Sequence, residues 1–187
     1  ILGSSEIALR SFSFLVGVLT LGLVYFLGKK IVSAKIALLA AFLLTLSPFH
    51  IYYSQEARPY ALLALLSFLS FYQFWQGLQK DQPWWKLGAI NGLLVLTHYW
   101  GFFLILAELL IALYVNKNKL KQSLNFVQSL AVSIIFFLPW LPVFLTQLNN
   151  NPTTWLYIEN IYLLIFRSLK YFSGNVLLFI IFLAFFG

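Results

Sequence analysis

The sequence predicts an all-α fold: a polytopic bundle of transmembrane helices, about six to seven spans, with a cavity at the outer membrane face. Three observations predict it. Charged residues make up 9% of the chain and hydrophobic residues 61%, where a soluble domain carries about 25% charge. The few charges are spaced to leave uncharged runs of membrane-crossing length. Lysines collect in alternate connections, the asymmetry that orients membrane proteins.

The elements follow in order. A hydrocarbon core of about 30 Å needs about 20 apolar residues in a helix. Ser11 to Gly28 supplies 18 uncharged residues, Ile36 to Gln55 supplies 20 and Pro59 to Gln79 supplies 21, and each is expected to span. Gly28-Lys29-Lys30 closes the first. Ser47-Pro48 closes the second, since the residue before a proline is pushed out of helical geometry. Leu87 to Asn116 lies between two lysines, and its 30 residues must cross twice if both lysines share one side. As helix they total about 45 Å, where two crossings need about 60 Å. The turn near Thr97-His98-Tyr99-Trp100-Gly101 is therefore expected to sit sunk in the outer half of the membrane, lining a cavity or buried in protein. Gln122 to Leu148 is a further span, broken late by Pro139 and Pro142. Gln147 to Thr154 reads as a loop. Trp155 to Phe172 reads as an amphipathic helix along the interface, and Val176 to Gly187 as a shortened last span.

One side of the membrane collects Lys29, Lys30, Lys35, Lys80, Lys86, Lys117, Lys119 and Lys121, with Asp81. The other holds Arg10, Arg58, Arg167 and Lys170, with Glu6, Glu56 and Glu159. The lysine-rich side is expected to be cytoplasmic. The net charge of +7 thus serves topology, and no nucleic-acid partner is expected. There is no cysteine, so disulfides and thiolate metal sites are excluded. There is no methionine, so Ile1 is not expected to be a natural start and the chain is expected to be an internal piece of a longer protein. A P-loop, a dinucleotide-binding glycine pattern, a G-x-S-x-G elbow and an H-E-x-x-H pair are all absent.

The chemistry concentrates on the outer side. Ser47 to Tyr60 (SPFHIYYSQEARPY) places Glu56 and Arg58 between two greasy runs, among His50, Tyr53 and Tyr60. A structural reading makes Ser54 a helix N-cap with Glu56 in the first turn. It leaves Arg58 unexplained, because a cation near a helix N-terminus is unfavourable. Residues at i and i+2 of a helix do not face each other, so each of the two is expected to need another partner. A guanidinium at a membrane face suits bidentate phosphate binding. The carboxylate beside it could act as a base, or help hold a divalent metal ion that bridges phosphates. Glu6 and Arg10 have the i, i+4 spacing of a helical ion pair and could also shape the outer cavity. His98 and Tyr99 on the sunken turn are candidate substrate contacts. Glu108, within the second hairpin arm, is an ionisable residue inside a span, a functional candidate by default unless it is protonated or paired.

Three segments together, GSSEIALRSFSFLVG, SPFHIYYSQEARPYAL and THYWGFFLILAE, resemble the GT-C glycosyltransferase superfamily. More narrowly, they are similar to the branch of dolichyl-phosphate-mannose protein mannosyltransferases, glycosyltransferase family 39. The resemblance spans roughly residues 1 to 147. It implies a multi-pass inner (plasma) membrane enzyme that takes a sugar from a polyprenyl-phosphate carrier. The sugar would pass to a lipid, glycan or protein acceptor on the periplasmic or exterior face. It implies that Glu56 and Arg58, with Tyr53 and Tyr60 nearby, handle the carrier phosphate. Glu6 and Arg10 match the segment that follows the family's first external loop. The acid that activates the acceptor belongs to that loop, which would precede Ile1, so the piece alone is expected to be inactive. The whole chain would then be part of one transmembrane glycosyltransferase domain. The competing class is a transporter or flippase of lipid-linked substrates, which would show paired broken helices and repeat symmetry.

Overall fold

The computed structural model describes residues 6–79, 84–115, 120–150 and 167. The described residues are helical apart from short connections. The chain divides into two compact units, residues 1–61 with 151–187, and residues 62–150.

In the first unit, α1 (Glu6–Gly28) is the long apolar helix expected between Arg10 and Lys29. It packs against α2 (Ala34–Thr45) and α3 (Pro48–Gln55). Ser33 caps α2 by accepting from Ile36 N at 3.3 Å. The helix ends before Ser47-Pro48, as the proline requires. It does not stop there for good. Ser47 caps a new helix by accepting from His50 N at 3.4 Å, and Pro48 occupies the first helical position, where no amide donor is needed. Ile36 to Gln55 is thus two helices bent by 60°, not one straight span. Ser54 lies in the last turn of α3, where its hydroxyl donates to His50 O at 2.7 Å, so it is no N-cap. Glu56 instead ends α3, in extended conformation.

The second unit carries most of α4 (Tyr60–Gln79), then α5 (Trp85–Thr97), α6 (Gly101–Val115), α7 (Leu120–Phe137), a 3-10 turn at Leu138–Trp140, and α8 (Leu141–Asn150). Phe74, Trp84, Leu87, Ala112 and Phe126 form its buried centre, with Phe74, Trp84 and Phe126 meeting edge to face. Gly88 and Gly92, one turn apart on α5, allow α7 to approach closely. A Cβ on Gly88 would come within 2.6 Å of Val132 Cβ and still nearer to the Ser129 carbonyl. Pro139 and Pro142 tighten the chain locally, but the helical path continues from Asn125 to Asn150. Gln147 to Asn150 is therefore helix, and the expected loop can begin only after it.

Among the described residues, three helices are long and apolar enough to cross a membrane, four if the bent α2–α3 pair counts as one span. The six to seven expected spans also counted α5 and α6, which have 13 and 15 residues, and Val176 to Gly187, outside the described residues. The two arms rise only about 20 Å each, short of the hydrocarbon thickness, as the hairpin length required. Large apolar side chains face outward throughout, among them Leu15, Leu39, Phe103 and Ile135. Hydroxyls inside the helices are satisfied locally: Thr20, Thr45, Thr97 and Thr146 each donate to the carbonyl four residues back. That arrangement suits an environment without water.

Candidate functional site

The candidate site grows from the break between α3 and α4. Residues 56–59 are not helical, which frees Glu56 and Arg58 from helical geometry. Two residues apart across a bend in the chain, they meet after all: Arg58 Nε lies 3.9 Å from Glu56 Oε1. The expectation that neither could be the other's partner assumed a helix here, and the connection removes that premise. At 3.9 Å the contact is an ion pair and not a hydrogen bond, so it acts through charge and only weakly through direction.

Glu56 has a second partner that sequence reasoning missed. Tyr52 donates its hydroxyl to Glu56 Oε1 at 3.2 Å. The signal was the i, i+4 spacing, which stacks Tyr52 and Glu56 on one face of α3. Glu56 Oε2 is buried and has no hydrogen-bond partner among the described residues. The two side chains differ in access: 63% of Arg58 is exposed and 24% of Glu56. Tyr53 and Tyr60 stand edge to face with centroids 4.6 Å apart, and Tyr53 also meets Phe49 at 4.5 Å. The result is an aromatic wall beside an exposed guanidinium held by a half-shielded carboxylate.

The backbone of this site is tied to α1. Ser13 donates to the Arg58 carbonyl at 3.4 Å, and α3 presses close enough that a Cβ on Gly17 would strike Ser54. Arg10 is one turn from Ser13 and exposed. The far end of α1, Gly28, lies fifteen residues beyond Ser13, about 22 Å along the axis, and Lys29 and Lys30 follow it. Arg10 and Arg58 therefore lie towards one end of α1, and Lys29 and Lys30 towards the other. Glu6 starts α1 by its backbone, but its side chain lies outside the described residues, so the expected Glu6–Arg10 pair does too.

His98 and Tyr99 belong to the other unit. His98 ends α5 in extended conformation, and its Nδ1 accepts from Trp100 N at 3.2 Å. Tyr99 is fixed against α8: its hydroxyl donates to Gln147 Oε1 and accepts from Trp140 Nε1 at 3.0 Å, and its ring meets Phe144 at 5.1 Å. The three residues between the arms thus form an ordered turn, capped by aromatics. Glu108 is buried at mid-helix in α6, away from this turn.

A cationic group for an anion, an ordered carboxylate and tyrosine faces for a ring form a set that fits handling of a phosphorylated sugar carrier at a membrane. The model of the family described as dolichyl-phosphate-mannose-protein mannosyltransferase matches residues 1–142. The chain belongs to this family. The match contains α1 to α7, the group around Glu56 and Arg58, and His98 and Tyr99. No curated protein matches, and no solved structure does. The chain is thus a polytopic membrane protein of a glycosyltransferase family.

Tyr52 offers a graded check of the carboxylate's setting. Tyr52→Phe keeps the ring and removes the hydroxyl. We expect transfer by the full-length protein to fall roughly 2- to 10-fold, the worth of one net hydrogen bond, with folding unchanged. An unaltered rate would separate Tyr52 from the site.

Proposed function

We propose that this chain forms the donor side of a glycosyltransferase. It takes a hexose or pentose from a polyprenyl-phosphate carrier and delivers it to a lipid, glycan or protein acceptor at the outer face of the plasma membrane. The observation that carries the reading is Arg58, exposed at the α3–α4 break and paired with a carboxylate whose other oxygen has no partner among the described residues. As the bond from the sugar's anomeric carbon to the carrier phosphate breaks, charge grows on the departing phosphate. A guanidinium placed there stabilises that charge more in the transition state than in the ground state. Glu56 holds the guanidinium by its charge. Tyr53 and Tyr60 offer ring faces to the sugar, and the outward apolar side chains suit the isoprenoid. His98 and Tyr99, and Arg10 with Glu6, are proposed as further contacts to substrate. The orientation rests on the lysine distribution, with the lysine-rich connections cytoplasmic.

For a divalent ion, Glu56 would be a lone protein ligand. Among the described residues no group of three His, Asp or Glu side chains converges. An ion here would have to take its other oxygens from the carrier phosphate and water, which is how magnesium often binds. Its contribution would be to neutralise phosphate charge.

The transporter reading has one observation behind it, the bent pair α2–α3, one such pair among the described residues. Transporters use such breaks in pairs, and family membership favours transfer. The test is the full-length protein in proteoliposomes, supplied with a radiolabelled polyprenyl-phosphate sugar and a lipid or glycan acceptor. Label should move to the acceptor. Movement of intact carrier between leaflets with no new glycosidic bond would refute the transferase. Chelator added to the same assay decides the metal: undiminished transfer removes Glu56 as a metal ligand.

A further inference from the structure

Three polar side chains from three helices meet inside the second unit. Ser70 on α4 is fully buried, as is Asn91 on α5, and Glu108 on α6 is 3% exposed. Ser70 Oγ lies 2.6 Å from Glu108 Oε1 and also bonds Asn91 Oδ1. Asn91 Nδ2 lies 2.8 Å from Glu108 Oε2. Three contacts thus close a ring through three side chains.

Each contact needs one hydrogen. Ser70 has one to give, and Asn91 directs one amide hydrogen into the ring. Flipping the Asn91 amide changes which neighbour receives its hydrogen, not the number supplied. The third hydrogen must come from Glu108. With an ionised carboxylate, two oxygens would face each other at hydrogen-bond distance with nothing between them. Among the described residues no cation on these helices offers an alternative: α4 and α6 carry no Lys or Arg, α5 carries Lys86 in its first turn, and α7 carries Lys121 in its first turn. The remaining titratable groups on these helices, Tyr60, Tyr72 and Tyr114, bring no positive charge. An uncompensated charge in such surroundings is costly.

We propose that Glu108 is a neutral carboxylic acid, and that it closes a hydrogen-bond ring with Ser70 and Asn91 that fastens α4 to both arms of the α5–α6 hairpin. Glu108 is then a positioning residue. It holds the hairpin whose turn carries His98 and Tyr99, and it neither moves protons to substrate nor binds an ion. The ring hides every polar atom it contains, which is why it can lie inside a span. The proposal stands apart from the transferase reading, because folding and vibrational spectra test it whether or not the protein transfers a sugar.

The experiment uses the full-length protein in lipid nanodiscs. Glu108→Gln supplies an amide hydrogen where the acid's hydroxyl stood and keeps an oxygen for Asn91, so the ring survives. The unfolding midpoint should stay at the wild-type value. Glu108→Ala opens the ring and leaves Ser70 and Asn91 short of partners. Its midpoint should fall by roughly 5 to 10 °C, or the protein should fail to accumulate. Infrared difference spectra at neutral pH should show a protonated carboxyl C=O stretch in wild type that disappears in Glu108→Gln. Three results would overturn the proposal: no such band in wild type, a Glu108→Gln midpoint as low as that of Glu108→Ala, or a stable Glu108→Gln protein that has lost transfer. A Glu108→Ala protein as stable as wild type would equally dispose of the ring.

Discussion

Arg58→Ala should lower transfer from a polyprenyl-phosphate sugar by at least about 100-fold while the protein still folds and inserts. The size follows from the role. Removing one preorganised donor that meets developing charge costs about 10²- to 10³-fold, about 2.7 kcal/mol or more of transition-state stabilisation. Folding is spared because the guanidinium is largely exposed and its ionic contact to Glu56 is 3.9 Å long. The bond that ties this segment to α1, Ser13 to the Arg58 carbonyl, is to main chain and survives the substitution. Arg58→Lys keeps a charge but loses the planar fork, so it should recover only part of the rate. Measured kcat/KM for the three proteins, with insertion checked by protease accessibility, settles the matter. Wild-type activity in the alanine variant would remove Arg58 from the carrier phosphate.

Gly88→Ala should be the most damaging small substitution in the second unit. Two effects oppose each other. Alanine is a better helix former than glycine by about 1 kcal/mol. Against this, the new methyl collides with the main-chain oxygen of Ser129 and comes within 2.6 Å of Val132 Cβ. Backbone cannot swing aside as a side-chain tip can, so α5 and α7 must separate. Separation also strains the bond that Ser133 donates to the Gly88 carbonyl at 3.1 Å. Overpacking of this kind costs about 1–3 kcal/mol, occasionally more, and should win. The unfolding midpoint of the full-length protein should drop by several degrees, at roughly 2–4 °C per kcal/mol. Gly22→Ala is the control: nothing lies within 4 Å of a Cβ there, so only the propensity gain remains. A Gly88→Ala protein as stable as the Gly22→Ala protein would show that the close α5–α7 approach is not needed.

The positions that mislead sequence reading are those where local geometry changes the rules. Glu56 and Arg58 could not be paired on paper because helical spacing forbids it. They meet because α3 ends at Gln55 and α4 begins at Tyr60, so the residues between follow a bend and are free of helical spacing. Pro48 illustrates the reverse. It read as a helix stop, yet Ser47 in front of it makes a cap, and the same proline starts the next helix.

Charge spacing by itself determined that this is a membrane protein, where α1 and α4 run and that α5 and α6 form a hairpin too short to cross twice. These are consequences of solvent and chain length: hydrocarbon excludes charge, and a helix rises a fixed distance per residue. The motif segments likewise carried the family. Only the tertiary structure decided which side chains share a hydrogen. Ser70 and Asn91 are 21 residues apart in the chain and Ser70 and Glu108 are 38 apart, and no periodicity links positions on three different helices. The same holds for Gly88 against Ser129 and for Ser13 against Arg58. Such contacts depend on helix approach and rotation, which are set by the fit of whole faces and not by any one residue.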